Sequence, residues 1–438
     1  MGSSSNGVVE RYCVIGAGSS GLTVAKNLKE VGIAYDVFER EDGIGGNWYY
    51  GKPHSSVYRS IHLISSKPLT EYRDFPMPTD YPDFPSHIQV LEYFKAYART
   101  FDLERDITFN TEVTRVEPMD DGRSWEVTLS SGERRRYAGV IICNGHNWEP
   151  KYPEYPGVFT GETLHSSEYK TPDALEGKRV LVVGAGNSGC DIAAESAQHA
   201  TRTLLSTRRG YYYMPKYFFG RPVDQVGERL LDLGMPLALR RMIGRLTYRM
   251  AVGDLSRYGV MPPDHKLFET HPIVNAHLPY YIAHGDVSPR PDIREYAGDE
   301  VVFVDGSREV VDLIVYATGF KIVFPFLDEA LLNWRRGHPS LYLNVFHPRY
   351  DNLFVVGLIQ PDSGQWGLEE RQARVIARFL TARKRSPRRA AWFRARKAVG
   401  QENYGGGVTY KESTRHYVEI EHHSYARRLD RLARRLAG

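Results

Sequence analysis

The chain has 438 residues, of which 42% are hydrophobic and 25% charged, and its net charge is +4. That length and composition fit a globular protein of two or three domains, and they exclude collagen, coiled coil and wholesale disorder. The charge is too mild for a nucleic-acid binder, and no uncharged apolar run approaches the roughly 18 residues that a membrane span needs.

The opening MGSSSNGVVERY lacks the basic and apolar regions of a secretory signal, and reads as a frayed tail or the remnant of an appended tag. An apolar strand then runs from Arg11 into Gly16-Ala-Gly18-Ser-Ser-Gly21. A helical stretch, LTVAKNLKEVG, and a second strand, IAYDVFER, come after it. In such a βαβ unit Gly16 permits the tight turn, Gly18 lets a pyrophosphate reach the backbone, and Gly21 lets helix and strand pack closely. Glu39 lies at the end of the second strand. A carboxylate there accepts hydrogen bonds from ribose hydroxyls and repels a 2′-phosphate. The unit predicts a dinucleotide site, and its place at the start of the chain favours FAD.

Short alternating strands come next, from Val113 to Gly145, broken by Asp-Gly and Ser-Gly turns and closed by the apolar strand AGVIICNG. The first design then returns, 168 residues on, as Gly184-Ala-Gly186-Asn187-Ser188-Gly189 after an apolar strand and before a helical stretch. Its second strand ends differently, in Ser206-Thr207-Arg208-Arg209. Hydroxyls and guanidinium groups suit a 2′-phosphate, which predicts NADPH rather than NADH. Gly184, Gly186, Asn187, Ser188, Gly189, Thr207 and Arg208 are the expected contacts.

From Tyr211 to about Thr270 the chain is rich in Tyr, Arg, Pro and Met and reads as inserted helices and loops. Tyr211 to Tyr213 and Tyr217 to Phe219 could line a substrate channel or pack those helices; both readings stay open. A hairpin and the apolar strand DLIVYATG come after it, then a further strand, LFVVGLIQPDSG, from Leu353 and an amphipathic helix, GLEERQARVIARFLTARKR. Residues 381–438 hold 15 Lys and Arg against 5 Asp and Glu, so this end carries +10 and the rest −6. Leu429, Leu432 and Leu436 share one helical stripe, which predicts a docked helix with its arginines in water.

Cys13, Cys143 and Cys190 form no paired motif, so a disulfide scaffold, a zinc ribbon and a dithiol centre are not expected, and a reducing, cytoplasmic compartment is. His422 and His423 are adjacent but have no convincing third ligand beside them, and no metal is expected. Two nucleotide sites, one for each cofactor, imply hydride transfer from nicotinamide to flavin. Without a cysteine pair, oxygen or a quinone is the expected acceptor.

Between the two glycine motifs lies Phe159-x-Gly161-x-x-x-His165-x-x-x-Tyr169. It resembles the FxGxxxHxxxY fingerprint of the flavin-containing monooxygenase family (class B flavoprotein monooxygenases). Gly45-Gly46-Asn47-Trp48, His271-Pro-Ile-Val-Asn275, Leu278-Pro279, Ala317-Thr318-Gly319 and Gly357-Leu-Ile-Gln360-Pro361 are similar to the family as well, in order over nearly the whole chain.

The resemblance implies an α/β fold with two Rossmann-like dinucleotide-binding domains, the NADPH domain inserted into the FAD domain. Residues 1–165 would form the first part of the FAD domain. Residues 166–320 would form the NADPH domain, with a helical insertion at about 211–270. Residues 321–438 would complete the FAD domain and add C-terminal helices. FAD would meet Gly16, Gly18, Ser20, Gly21, Glu39, Gly46, Asn47, Trp48 and Val113, with Thr318, Gly319 and Gln360 near the isoalloxazine. The implied cycle reduces FAD with NADPH, forms a C4a-(hydro)peroxyflavin with O₂, and passes one oxygen atom to an amine nitrogen or a sulfide sulfur. The cofactor carries the hard chemistry, and the protein orients it in a dry pocket.

Two features refine that expectation. Baeyer–Villiger relatives usually carry Trp where this chain has Tyr169, which leans towards heteroatom oxygenation. The family also usually places Asn where this chain has Ile64, so Ser65 and Ser66 are the candidate polar replacements near the reacting centre. A Baeyer–Villiger enzyme, an uncoupled NADPH oxidase and a nucleotide-binding scaffold without turnover remain the alternatives. The end RRLARRLAG is similar to soluble microbial members rather than to anchored ones. The expected partners are a small amine or sulfide and O₂, with no nucleic acid and no integral membrane span; a homodimer stays open.

Overall fold

The structure, a computed structural model, describes residues 10–335, 337–400, 404–411 and 417–437. The stretch expected as a tail, 1–9, lies outside them. The chain starts with β1 (Tyr12–Ile15), α1 (Ser19–Glu30) and β2 (Tyr35–Phe38), and continues through α2 (His87–Thr100), β3 (Ile107–Thr108) and β4 (Gly139–Ile142). Next come β5 (Glu162–His165), β6 (Arg179–Val183), α3 (Asn187–His199), β7 (Arg202–Ser206), α4 (Val223–Asp232), α5 (Leu237–Ala251), β8 (Val287–Arg290) and β9 (Leu313–Tyr316). The C-terminal part adds β10 (Leu353–Val355), β11 (Gln360–Pro361), α6 (Trp366–Arg385), β12 (Glu419–Ile420) and α7 (His422–Ala437).

Two five-stranded parallel sheets organise this mixed α/β fold. The first has the order β10-β4-β1-β2-β3 and the second β5-β9-β6-β7-β8. In chain order, every strand of the second sheet lies between β4 and β10 of the first. β5 belongs by its hydrogen bonds to the second sheet, although the sequence boundary at 165 put it with the first. Each glycine-bearing strand sits centrally, with its βαβ partner on one side and the expected apolar strand, β4 or β9, on the other.

The central strands β1, β4 and β9 are apolar throughout because both of their faces are covered. Alternate residues feed opposite cores, as the two-residue period of a strand requires. Tyr12 and Val14 enter one cluster and Cys13 and Ile15 another; Val180 and Val182 likewise part from Leu181 and Val183. The expected alternating strands after Val113 form an antiparallel meander on the first sheet. Cys13, Cys143 and Cys190 are all buried, and none of them is in a disulfide.

The inserted stretch packs differently. Tyr213 is buried against Ile273 and Leu278, whereas Phe219 is 86% exposed. The first aromatic group thus sends Tyr213 into the core, and the second leaves Phe219 at the surface. Helix α5 buries Arg240 and leaves Leu239, Met242, Leu246 and Met250 exposed. At the C-terminus α7 docks Leu429, Leu432 and Leu436 as expected and leaves Arg427, Arg431, Arg434 and Arg435 in water. Among the described residues no helix is long and apolar enough to cross a membrane.

Candidate functional site

The two glycine turns are near copies in space. Gly16 has φ +102° and Gly184 φ +103°. A Cβ on Gly16 would lie 2.6 Å from the Cys143 carbonyl oxygen, and one on Gly184 2.5 Å from that of Ala317. A Cβ on Gly21 or Gly189 would sit 1.9 Å from the carbonyl oxygen of Gly16 or Gly184. The first and third glycines thus serve the close packing of helix on strand. Gly18 differs. Its Cβ would meet Gly46 at 3.5 Å, and both residues leave a backbone-lined groove open. Gly18 and Gly186 cap α1 and α3 with no side-chain hydrogen bond, so the first N–H groups of each helix face the groove. Such a helix start is built for an anion.

The residues beyond each turn set the two sites apart. Glu39 is buried; its carboxylate accepts from the Ala17 N–H at 2.7 Å and the Glu41 N–H at 2.9 Å. Burial raises its pKa, and those two bonds work against the rise. Ser20 is buried in α1, and Gly46 to Trp48 form a single tight turn beside Gly18. The Asn47 side chain accepts from the Ser56 N–H at 2.8 Å, and Trp48 meets Trp366 edge to face at 5.9 Å. Val113 opens the meander two residues after Thr111, whose N–H binds the Glu39 carbonyl at 2.9 Å. A buried carboxylate at the end of β2, bonded to the glycine turn that opens α1, suits an adenine dinucleotide without a 2′-phosphate.

At the second turn no acid stands in that place. Arg208 is exposed at the end of β7, and Thr207 lines a cavity of about 250 Å³ with Tyr213, Pro289 and Arg290. Asn187 fixes the neighbouring segment: its amide donates to the Pro272 carbonyl at 3.2 Å and accepts from the Val274 N–H at 2.8 Å. Ser188 and Gly189 open α3. Arg290 was not foreseen. It reaches the same strand ends from β8 and pairs with Glu309, and nothing in its local sequence marks it.

The fingerprint holds the second sheet together. The His165 ring is within hydrogen-bond distance of the Gly319 carbonyl, 3.1 Å, and of the Ser167 hydroxyl, 2.8 Å. Burial pushes its pKa down. Tyr169 donates to Glu195 on α3 at 2.5 Å, and Tyr58 donates to Asp191 at 2.7 Å. Thr318 donates to the Lys151 carbonyl at 2.5 Å. Gln372 of α6 and Gln365, the residue that caps it, bind the N–H and the carbonyl of Gly357 at 3.0 and 3.4 Å, which places the run to Gln360.

Of the two candidate serines, Ser65 is engaged with the Thr70 hydroxyl at 2.8 Å. Ser66 is fully buried, its N–H donates to Asp224 at 2.6 Å, and its hydroxyl has no hydrogen-bond partner among the described residues. The histidine pair has neighbours that the sequence hid. Glu228 on α4 lies 3.0 Å from His423 Nδ1 and Asp232 lies 3.6 Å from it, so His423 shares a three-group cluster with two carboxylates that does not include His422. Burial raises the Glu228 pKa, but the neighbouring imidazoles of His422 and His423 outweigh it and leave it lowered.

Comparison with known proteins agrees with this geometry. A family model described as Flavin-binding monooxygenase-like matches residues 9–434. Flavin-containing monooxygenase 5 of Homo sapiens is 34% identical over 434 residues, covering 94% of this chain and 80% of the human protein. Dimethylaniline monooxygenase [N-oxide-forming] 2 of Oryctolagus cuniculus is 35% identical over 394 residues, covering 85% and 74%. Among solved structures, S-allyl-L-cysteine S-oxygenase from Allium sativum superposes with a TM-score of 0.67 at 23% identity over 97% of this chain and 89% of the other. Cyclohexanone monooxygenase in an open form gives 0.67 at 23% identity over 86% and 88%. At such identity these two structures speak for the fold.

Proposed function

The chain belongs to the Flavin-binding monooxygenase-like family, and from that premise we propose that it transfers one oxygen atom of O₂ to an amine nitrogen or a sulfide sulfur at the expense of NADPH. FAD and NADPH are its cofactors. FAD, once reduced by NADPH, supplies the oxygen-activating chemistry.

The chain's own residues do the rest. In this reading the start of α1, with Gly18 and Gly46, holds the FAD pyrophosphate, and Glu39 holds its ribose. The start of α3, with Asn187 and Ser188, holds the second dinucleotide, and Thr207 and Arg208 take its 2′-phosphate. The NADPH-binding unit lies within the FAD-binding one, beginning near Gly157 rather than at 166, because β5 and the strand Gly157–Phe159 pair with strands of the second half. The observation that carries the assignment is the contrast at two matched turns: a buried carboxylate after one, an exposed arginine after the other. A site that excludes water protects the reacting centre, and the Ser66 hydroxyl is the polar group we assign beside it in place of the family's Asn.

The test is product analysis. Enzyme, NADPH and O₂ are incubated with a tertiary amine, a thioether and a cyclic ketone. The expected products are N-oxide and sulfoxide, with one NADPH consumed per oxygen transferred. Ester from the ketone alone would establish a Baeyer–Villiger enzyme, and NADPH consumption that yields only hydrogen peroxide would establish an oxidase.

A further inference from the structure

β11 and β12 are a short parallel pair in which Gln360 stands opposite Glu419. Partners in register on parallel strands send their side chains to the same face. Gln360 is the residue assigned near the isoalloxazine, so Glu419 is its neighbour on that face. On the other side, His271 Nδ1 lies 3.5 Å from Glu419 Oε2. His271 precedes Pro272, whose carbonyl is bound by Asn187 of the expected NADPH turn. Glu419 therefore lies between residues of both expected cofactor sites.

Its condition is unusual. The Glu419 side chain is fully buried, yet neither carboxylate oxygen has a hydrogen-bond partner among the described residues. His271 Nδ1 and Ser363 Oγ, also buried, have none either. Folded proteins rarely leave a buried carboxylate unmatched, because losing water without gaining a partner is strongly unfavourable. The surrounding carboxylates are occupied elsewhere: Asp362 accepts from the His422 N–H at 2.8 Å, and Glu421 accepts from the N–H groups of His423 and Ser424 at 3.1 and 2.9 Å. Both serve the start of α7. Around the group are Asp362 and Glu421 as acids, His271 as an imidazole, Tyr410 as a phenol and the buried guanidinium of Arg240, with His422 beside Asp362. Burial and the neighbouring Glu421 raise the Asp362 pKa to about 6, as expected where negative charge is in excess.

Resting on the monooxygenase reading above, we infer that Glu419 anchors an ammonium group of the substrate, so that preferred substrates carry a positive charge apart from the nitrogen or sulfur that is oxygenated. An ammonium supplies the donors that both Glu419 oxygens lack and balances the local charge. A neutral ketone, amide or dialkyl sulfide supplies neither.

Two thioethers test this: 2-(methylthio)ethylamine, an ammonium at neutral pH, and its neutral N-acetyl derivative. Both present the same sulfur. Wild-type holoenzyme is expected to oxygenate the ammonium compound with a kcat/KM about 10- to 100-fold higher, expressed in KM. E419Q, matched to wild type in FAD content, is expected to lose that preference, the KM of the ammonium compound rising towards that of the neutral one. Calorimetric titration of the oxidised holoenzyme with each compound gives a readout free of turnover. Equal treatment of both thioethers by wild type, or a preference retained in E419Q, overturns the anchor while leaving the monooxygenase reading intact. Binding of the ammonium compound by wild type but not by E419Q, with no sulfoxide formed, keeps the anchor and overturns the monooxygenase reading. Failure of wild type to bind or oxygenate either compound overturns the anchor.

Discussion

The phenol of Tyr169 donates to the carboxylate of Glu195 at 2.5 Å and so ties the end of the FxGxxxHxxxY motif to the middle of α3. Tyr58 grips the same helix one turn earlier through Asp191. Because α3 begins at the second glycine turn, both tyrosines set the angle at which that turn meets its ligand. Tyr169→Phe removes one strong donor and nothing else. The expected result is unchanged FAD content and a KM for NADPH raised about 3- to 10-fold, equivalent to roughly 1 kcal/mol for one buried bond. A lower melting temperature with an unaltered KM would reduce the tyrosine to packing.

The exposed guanidinium of Arg208 should discriminate between the two nicotinamide cofactors. Arg208→Ala is expected to weaken NADPH binding by about 1.5–3 kcal/mol, the range for a lost charge-assisted contact, and to leave NADH nearly unaffected. Titration of the variant with each nucleotide checks this. Equal losses would place the 2′-phosphate elsewhere, with Arg290, which lines the same cavity as Thr207, the next guanidinium to test.

The glycines of the first turn should respond in opposite ways. A Cβ on Gly18 meets Gly46 only at 3.5 Å, an ordinary contact, so Gly18→Ala should fold. Gly18→Val extends into the groove where the pyrophosphate is placed and should yield folded but colourless protein. Gly21→Ala drives a Cβ to within 1.9 Å of the Gly16 carbonyl and should fail as a fold rather than as a site. Flavin absorbance together with circular dichroism separates the outcomes; yellow Gly18→Val protein would remove the pyrophosphate from this groove.

The sequence discloses the chemistry that is written locally. A glycine turn, the helix it opens and the charge at the next strand end occupy some 25 consecutive residues, so Gly16 to Glu39 and Gly184 to Arg208 could be read directly. The apolar strands at β4 and β9 were legible because burial on both faces leaves no room for polar residues. Contacts made by tertiary approach were not legible. Tyr58 meets Asp191, 133 residues away, and Glu228 meets His423, 195 residues away. Glu419 sits in a two-residue strand whose partner is Gln360, and no period or motif distinguishes it from a solvated acid. The inserted helices gave only their existence, because so few of their residues are buried and their pattern is set by the surface.

Acid stability should turn on His347. The residue is 1% exposed, and its Nδ1 accepts from the N–H groups of Arg349 and Tyr350 at 3.1 and 2.9 Å. The ring is therefore neutral, with its proton on Nε2. Placing a proton on Nδ1 would break both bonds in a buried site beside Lys397, whose ammonium is held by the carbonyls of His347, Pro348 and Tyr350 at 2.7 to 3.1 Å. Burial first, then Lys397 and Arg349, lowers the His347 pKa from 6.5 to about 4. Between those values the unfolded chain holds a proton that the folded chain does not, so stability falls as the pH is lowered from 6.5 towards 4 and is regained above 6.5. The shift corresponds to at most about 3 kcal/mol. Asp362 acts in the opposite sense, since its raised pKa makes the folded chain the better proton binder between 3.8 and about 6. Comparing wild type with His347→Asn cancels that contribution. The asparagine amide oxygen can accept from the same two N–H groups and cannot titrate, so denaturant melts of the variant should lose less stability from pH 6.5 to pH 4.5 than those of wild type. Parallel losses in the two proteins would assign the acid sensitivity to another group.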